Sequence, residues 1–140
     1  NYGPSATPPT AAGSYTATAT VAADDNYEGA TSAPFAFVIN KANQTITVTT
    51  PSPATATYNT GFTVAATATS GLTVAYTSDA PLTNIGATFT MTSGTGTGVV
   101  RYNQAGDNNF NAAPEVTANV AAAKAASTIT VTWLLRFLTL

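Results

Sequence analysis

Two stretches of this chain repeat each other without a gap, and the distance between them fixes the size of the unit the chain can fold into. Asn40-Lys41-Ala42-Asn43-Gln44-Thr45-Ile46-Thr47-Val48-Thr49 returns as Ala123-Lys124-Ala125-Ala126-Ser127-Thr128-Ile129-Thr130-Val131-Thr132, with Lys124 standing 83 positions after Lys41. The same shift lays Asp24-Asp25-Asn26-Tyr27-Glu28 on Asp107-Asn108-Asn109-Phe110-Asn111, and Gly13 on Gly96. The chain is a piece of a tandem array. A unit of this size can bury one modest core by itself and little more. In this phase residues 1–41 are the C-terminal half of one unit, 42–124 a complete unit, and 125–140 the first strand of a following unit or a donor strand.

Alternation of period two runs through nearly every segment, and β-branched and aromatic residues gather in short runs between Gly, Pro, Asn and Asp. Ile46 and Val48 face one way and Thr45, Thr47 and Thr49 the other, until Pro51 and Pro53 stop the strand because proline cannot donate to a ladder. Phe62, Val64, Ala66 and Ala68 line one side of the next run, and Ser70-Gly71 suggests a hairpin into Leu72, Val74 and Tyr76. Ile85, Ala87, Phe89 and Met91 keep one parity; Val100, Tyr102 and Gln104 follow, then Val116, Ala118, Val120 and Ala122. About six or seven short strands per unit predict an all-β antiparallel sandwich. The repeat places Phe35, Phe37 and Ile39 where Ala118, Val120 and Ala122 stand, so the inward parity agrees while the larger side chains imply a differently filled core.

Composition removes whole classes of function. With 7 % charged residues and a net charge of −2, the chain lacks the clustered Lys and Arg that track phosphates, so nucleic acid is not an expected partner. Cys and His are both absent, which takes away disulfides, the softer metal ligands and the commonest general base. The two lysines are the remaining candidate bases for the many Ser and Thr hydroxyls, and no enzyme or cofactor is expected. Thr and Ala fill roughly two fifths of the chain, a charge-poor composition frequent among secreted structural proteins. The apolar residues 133–140 fall far short of the roughly 20 that a membrane helix needs.

Several motifs invite a sharper reading and have a plainer one. Asp24-Asp25-Asn26 and Asp107-Asn108-Asn109 carry hard oxygens that suit calcium, yet Asp and Asn also close tight turns on their own backbone, and that is the expectation. The aromatics that follow, Tyr27 and Phe110, look like pins holding each turn to the core. Lys41 and Lys124 at the joints are read as ordinary solvated side chains rather than isopeptide donors. Asn43-Gln44-Thr45 fits a glycosylation triplet that arises readily by chance in so Asn- and Thr-rich a chain. Gly94-Thr95-Gly96-Thr97-Gly98 has no following Lys or helix and reads as a hairpin turn, not a phosphate cradle. Arg101, between Val100 and Tyr102, is expected to point to solvent from the outer face.

From Lys41-Ala42-Asn43-Gln44-Thr45-Ile46, through Ala68-Thr69-Ser70-Gly71-Leu72-Thr73-Val74-Ala75-Tyr76-Thr77-Ser78, to Gln104-Ala105-Gly106-Asp107-Asn108-Asn109-Phe110, the complete unit resembles bacterial immunoglobulin-like repeats of large surface and secreted proteins. Residues 1–41, with Tyr2-Gly3, Pro8-Pro9-Thr10-Ala11-Ala12-Gly13-Ser14-Tyr15 and Asn26-Tyr27-Glu28-Gly29, resemble the closing half of an MBG-type repeat. The resemblance implies an Ig-like antiparallel β-sandwich used as a stalk or adhesive module outside the cell or on its surface, with no catalytic residues to carry over. It also implies, in many members, a cysteine pair near the positions of Leu82 and Gly98, which this chain lacks.

The phase of the repeat implies neighbours. Each flanking piece is unfinished, so the expected partners are adjacent repeats of a longer chain or copies of this one, joined head to tail by strand complementation. The residues expected to carry that association are Ile129, Val131, Trp133, Leu134, Leu135, Phe137, Leu138 and Leu140 on the tail, and Phe35, Phe37 and Ile39 on the first half-unit. Burying the six large apolar side chains from Trp133 onward would contribute on the order of 10 kcal/mol. At about 3.3 Å per residue, the stretch from Thr128 to the end is long enough to cross a partner sheet. The alternative is an adhesin-type module binding surface glycans or proteins, for which Tyr2, Tyr15, Tyr58, Tyr76 and Tyr102, five of the six tyrosines, could offer stacking surfaces.

Overall fold

The computed structural model describes residues 5–131 and is all β, with no helix among them. The first part is a long ribbon. β1 (Gly13–Ala17) and β2 (Thr20–Val21) run out, and β3 (Ala30–Thr31) and β4 (Phe35–Ile39) return, pairing β1 with β4 and β2 with β3.

The complete unit follows: β5 (Ile46–Thr50), β6 (Thr55–Thr57), β7 (Gly61–Thr63), β8 (Ala65–Ala68), β9 (Ala75–Asp79), β10 (Leu82–Ile85), β11 (Thr88–Met91), β12 (Thr97–Asn103) and β13 (Val116–Ala123). One layer holds β10-β11-β7 and, continuing from β7 through Val64, the pair β8-β5; the other is β6-β13-β12-β9. Together they make an Ig-like sandwich in which β7 and β8 act as one interrupted strand. The opening strand also changes layers. β5 pairs antiparallel with β8 and slips register between Val48 and Thr50; beyond the prolines β6 runs parallel to β13 in the opposite sheet. Pro51 and Pro53 sit where the chain leaves one ladder for the other, the place where a missing N–H is harmless.

The core lies between the layers. Val64, Leu82, Phe89 and Met91 from one sheet meet Val100, Tyr102 and Val120 from the other, and Ala56, Ala68 and Val74 complete it. Phe62 stacks on Phe89 with ring centres 5.6 Å apart, while Tyr76 meets Tyr102 edge-on at 5.7 Å. Gly98 is required by close approach: a Cβ there would lie 2.5 Å from Leu82 Cγ, so the leucine fills the space a side chain would take. These are the two positions where the resemblance implies cysteines elsewhere, and they do face each other.

Three local expectations give way. Ser70-Gly71 does not close a hairpin: β8 pairs with β5 and β9 with β12, so the chain crosses between layers there, and Leu72 and Val74 lie outside any strand. The glycine-rich stretch at 94–98 likewise carries the chain from β11 in one layer to β12 in the other instead of turning a hairpin. Ile85 is 90 % exposed, out of phase with Phe89 and Met91, because β10 ends there and a turn through Gly86 resets the parity.

Candidate functional site: the joint between units and an open hairpin face

Residues 40–44 leave β4 and pass beside the loop between β12 and β13. Ala42 N donates to Asn109 O at 2.8 Å and Asn111 N donates to Ala42 O at 2.8 Å, which makes a parallel bridge between Ala42 and Phe110. Lys41 Nζ donates to the main-chain oxygen of Asp107 at 2.6 Å, and Asn111 Nδ2 donates to Asn43 Oδ1 at 2.8 Å. From the other side Ala12 N donates to Asn109 Oδ1 at 2.9 Å. One loop thus grips both the strand that leaves the first unit and the turn that enters its ribbon. Lys41 is not simply solvated, as its sequence setting suggested: it is a main-chain clamp.

The loop is preset for this. Asp107 Oδ1 accepts from Asn109 N at 2.7 Å and from Phe110 N at 2.9 Å. Asp24 Oδ1 accepts from Asn26 N and Tyr27 N, both at 2.8 Å, so the two loops aligned by the repeat share one turn. Their aromatics differ: Phe110 is half-buried, but Tyr27 is 76 % exposed and pins nothing.

Behind the joint sits a buried amide. Gln44 is 3 % exposed; its Nε2 donates to Gln104 Oε1 and to Asn111 O, each at 2.7 Å, and its Oε1 accepts from Ser70 Oγ. Gln104 Oε1 also accepts from Gly106 N. A buried polar group is tolerated because its bonds are made, and this network ties β5 to the loops at one pole of the sandwich. Both glutamines stand in the inward phase of their strands, Gln44 before Ile46 and Gln104 after Tyr102, the signal by which the sequence reading could have found them; Gln44 is buried and Gln104 half-buried. No sequence signal marks the Lys41 contact, since its acceptor is a main-chain oxygen.

The ribbon repeats the hairpin of the complete unit rung for rung. Shifted by 83, the pairs Ser14↔Val38, Tyr15↔Phe37, Thr16↔Ala36 and Ala17↔Phe35 become Thr97↔Ala121, Gly98↔Val120, Val99↔Asn119 and Val100↔Ala118, all of them observed. The face matching the core face of β12 and β13 carries Tyr15, Ala17, Phe35, Phe37 and Ile39. Phe37 stacks on Tyr15 with ring centres 5.7 Å apart, and both are half-buried with Ile39, but Phe35 is 72 % exposed. Among the described residues β1 and β4 pair only with each other. Ile129 and Val131 lie beyond β13, 93 % and 71 % exposed, and do not meet it. Trp133, Leu134, Leu135, Phe137, Leu138 and Leu140 lie outside the described residues.

On the outer face of β12, Arg101 is paired rather than alone. Its Nε donates to Asp79 Oδ2 at 3.1 Å and its Nη1 to Glu115 Oε1 at 2.7 Å, across both neighbouring strands. The hydrogen bond from Arg101 holds the Asp79 carboxyl below its ordinary range, and Asp79 and Glu115 in turn hold the guanidinium proton more tightly. In the core, burial, with Tyr76 adding to it, raises the Tyr102 phenol. Among the described residues no three acidic side chains gather as a metal site would need, and no helix is long and apolar enough to cross a membrane. The chemistry at the joint is therefore main-chain capture. Neither a curated protein nor a solved structure matches the chain. Residues 1–43 match the model of the MBG domain, a match that spans the ribbon, ends two residues past Lys41, and agrees with the resemblance read from the first half-unit.

Proposed function

We propose that this chain is a non-catalytic structural segment of an extracellular or cell-surface protein, built of Ig-like units that are completed by their neighbours. The neighbours are adjacent repeats in a stalk, or copies of the chain joined head to tail by strand complementation into a filament. The observation that carries the reading is the ribbon of β1 and β4: it keeps the register of a sandwich hairpin, yet Phe35 on its apolar face stands 72 % exposed. Large apolar side chains in such a row favour burial against another sheet. The joint adds support, because a loop that holds Lys41 and Ala12 of the preceding unit by hydrogen bonds, and the start of its own unit at Ala42 and Asn43, suits an array that bears load. The exposed tyrosines Tyr27 and Tyr58 lie on loops of different units and form no platform for a glycan, which favours the structural reading over an adhesin.

The experiment is sedimentation velocity with negative-stain microscopy on the whole chain and on a chain ending after Thr132. The whole chain should form elongated polymers, and the shorter one should fold its complete unit and remain monomeric. Polymers of the shortened chain would remove strand donation by the tail.

A further inference from the structure

The joint seen inside the chain has a counterpart that no loop fills among the described residues. Ala12, Lys41 and Ala42 bind the loop at residues 107–111, with Thr10 and Ala11 directly before Ala12; shifted by 83 the five become Ser93, Gly94, Thr95, Lys124 and Ala125. These five residues, with Tyr58, line a shallow hollow of about 490 Å³ at the far pole of the complete unit. The stem of Lys124 lies across Gly94, where an added Cβ would come within 3.1 Å of Lys124 Cγ, and among the described residues Lys124 Nζ bonds to nothing.

We infer that this hollow is a socket for the Asp24-Asp25-Asn26-Tyr27-Glu28 loop of a second copy of the chain. Two loops in each copy have the required turn, and the one at 107–111 is already held by its own Lys41, Ala42 and Ala12. The loop at 24–28 has the same Asp-capped geometry and stands exposed. It carries three carboxylates, Asp24, Asp25 and Glu28, where its occupied counterpart carries only Asp107, so it suits the unpaired cation of Lys124 better than the sister loop would. By the internal precedent Lys124 Nζ donates to the main-chain oxygen of Asp24 and Ala125 bridges the backbone of Tyr27, while Thr95 N exchanges its 3.1 Å bond to Ser93 Oγ for one to Asn26 Oδ1. The buried glutamine network is not part of this contact, because the counterparts of Gln44, Gln104 and Asn111 are Ser127, Val21 and Glu28. The docking rests on the head-to-tail reading and gives it a defined contact.

The chain has no cysteine, so paired cysteines report cleanly. Ala12→Cys with Asn109→Cys in one chain is the internal control and should close as an intramolecular disulfide. A chain with Thr95→Cys is then mixed with one carrying Asn26→Cys under mild oxidation, and separately with one carrying Thr83→Cys on the exposed side of β10. Docked thiols meet at an effective concentration far above bulk, so the Thr95–Asn26 dimer should form at least about tenfold faster than the Thr95–Thr83 dimer, and Lys124→Glu should remove most of that advantage. Equal rates for the two mixtures overturn the docking. If the unsubstituted chain still polymerises while the rates are equal, head-to-tail assembly stands and only this contact fails; if it does not polymerise, both fail. Preferential cross-linking in chains ending after Thr132 would show that the socket works without the tail.

Discussion

The ribbon of the first half-unit and the hairpin of the complete unit share a register, a turn and a loop, but they differ in where their bulk lies. In the complete unit β12 supplies Val100 and Tyr102 to the core, and β13 supplies Val120 between two alanines, all three large residues wholly buried. At the matching rungs of the ribbon the outgoing strand has Ala17 and Ala19, and the returning one has Phe35, Phe37 and Ile39. Gly98, which makes room for Leu82, is replaced at its counterpart by Tyr15. The difference separates two causes. Register is set locally, by the pleat and by the Asp-capped loop, and is kept in the ribbon although Phe35 there is 72 % exposed. Burial is set by that facing sheet, and a sheet able to cover the ribbon must be small opposite Tyr15 and hollow opposite Phe37.

The largest expected effect breaks the comparison on its covered side. Phe89→Ala empties the centre of the sandwich, where the ring is fully buried, and should cost about 3–5 kcal/mol in urea unfolding. Phe35→Ala on the open face should move the same transition in a dilute chain by no more than about 0.5 kcal/mol, since a surface change touches little. A large loss at Phe35 in a monomer would mean that the ribbon already has a cover.

Next come the joints. Gln44→Ala leaves the Gln104 carbonyl oxygen, the Asn111 oxygen and Ser70 short of a partner in a buried place and should cost about 1–3 kcal/mol. Its repeat counterpart Ser127→Ala is exposed and should be neutral in the same assay. The tight contact of the covered hairpin gives a third case. Gly98→Ala should cost about 1–3 kcal/mol by overpacking against Leu82, and much of that cost should vanish in a Leu82→Ala background. Additive costs would deny that the two positions share one space.

The smallest effect carries a sign. Tyr102 Oη is buried without a hydrogen-bond partner among the described residues, so Tyr102→Phe should be neutral or stabilising by up to about 1 kcal/mol. Burial lifts this phenol above its ordinary value of 10.0, so the folded state keeps the proton longer than the unfolded one. The stability it secures is complete below pH 10 and falls as pH rises beyond it toward the folded value. Urea midpoints between neutral pH and pH 11 should therefore decline less steeply in Tyr102→Phe than in the unsubstituted chain.

Alternation alone located the core, because a half-buried strand writes its inward face every second residue: Val64, Ala68, Phe89, Met91, Val100, Tyr102 and Val120 were all legible that way. What alternation does not encode is sheet membership. Ser70-Gly71 and the glycines at 94–98 look the same whether the chain folds back into its own sheet or crosses to the other, and partners far along the chain decide which. Ile85 was misread for a local reason, a turn placed inside what looked like one run. At the joint the inward phase of Gln44 and Gln104 was a usable signal that the sequence reading passed over, whereas nothing marks Lys41 on Asp107, since any residue offers a main-chain oxygen.

Hydrogen exchange measured strand by strand across a range of chain concentrations tests most directly whether neighbours complete the ribbon. The expected result is that amides of Phe35–Ile39 exchange more slowly as concentration rises, while those of Thr97–Asn103 in the covered hairpin stay equally protected throughout. Protection of Phe35–Ile39 that is already full in the most dilute sample, and unchanged by concentration, would contradict it.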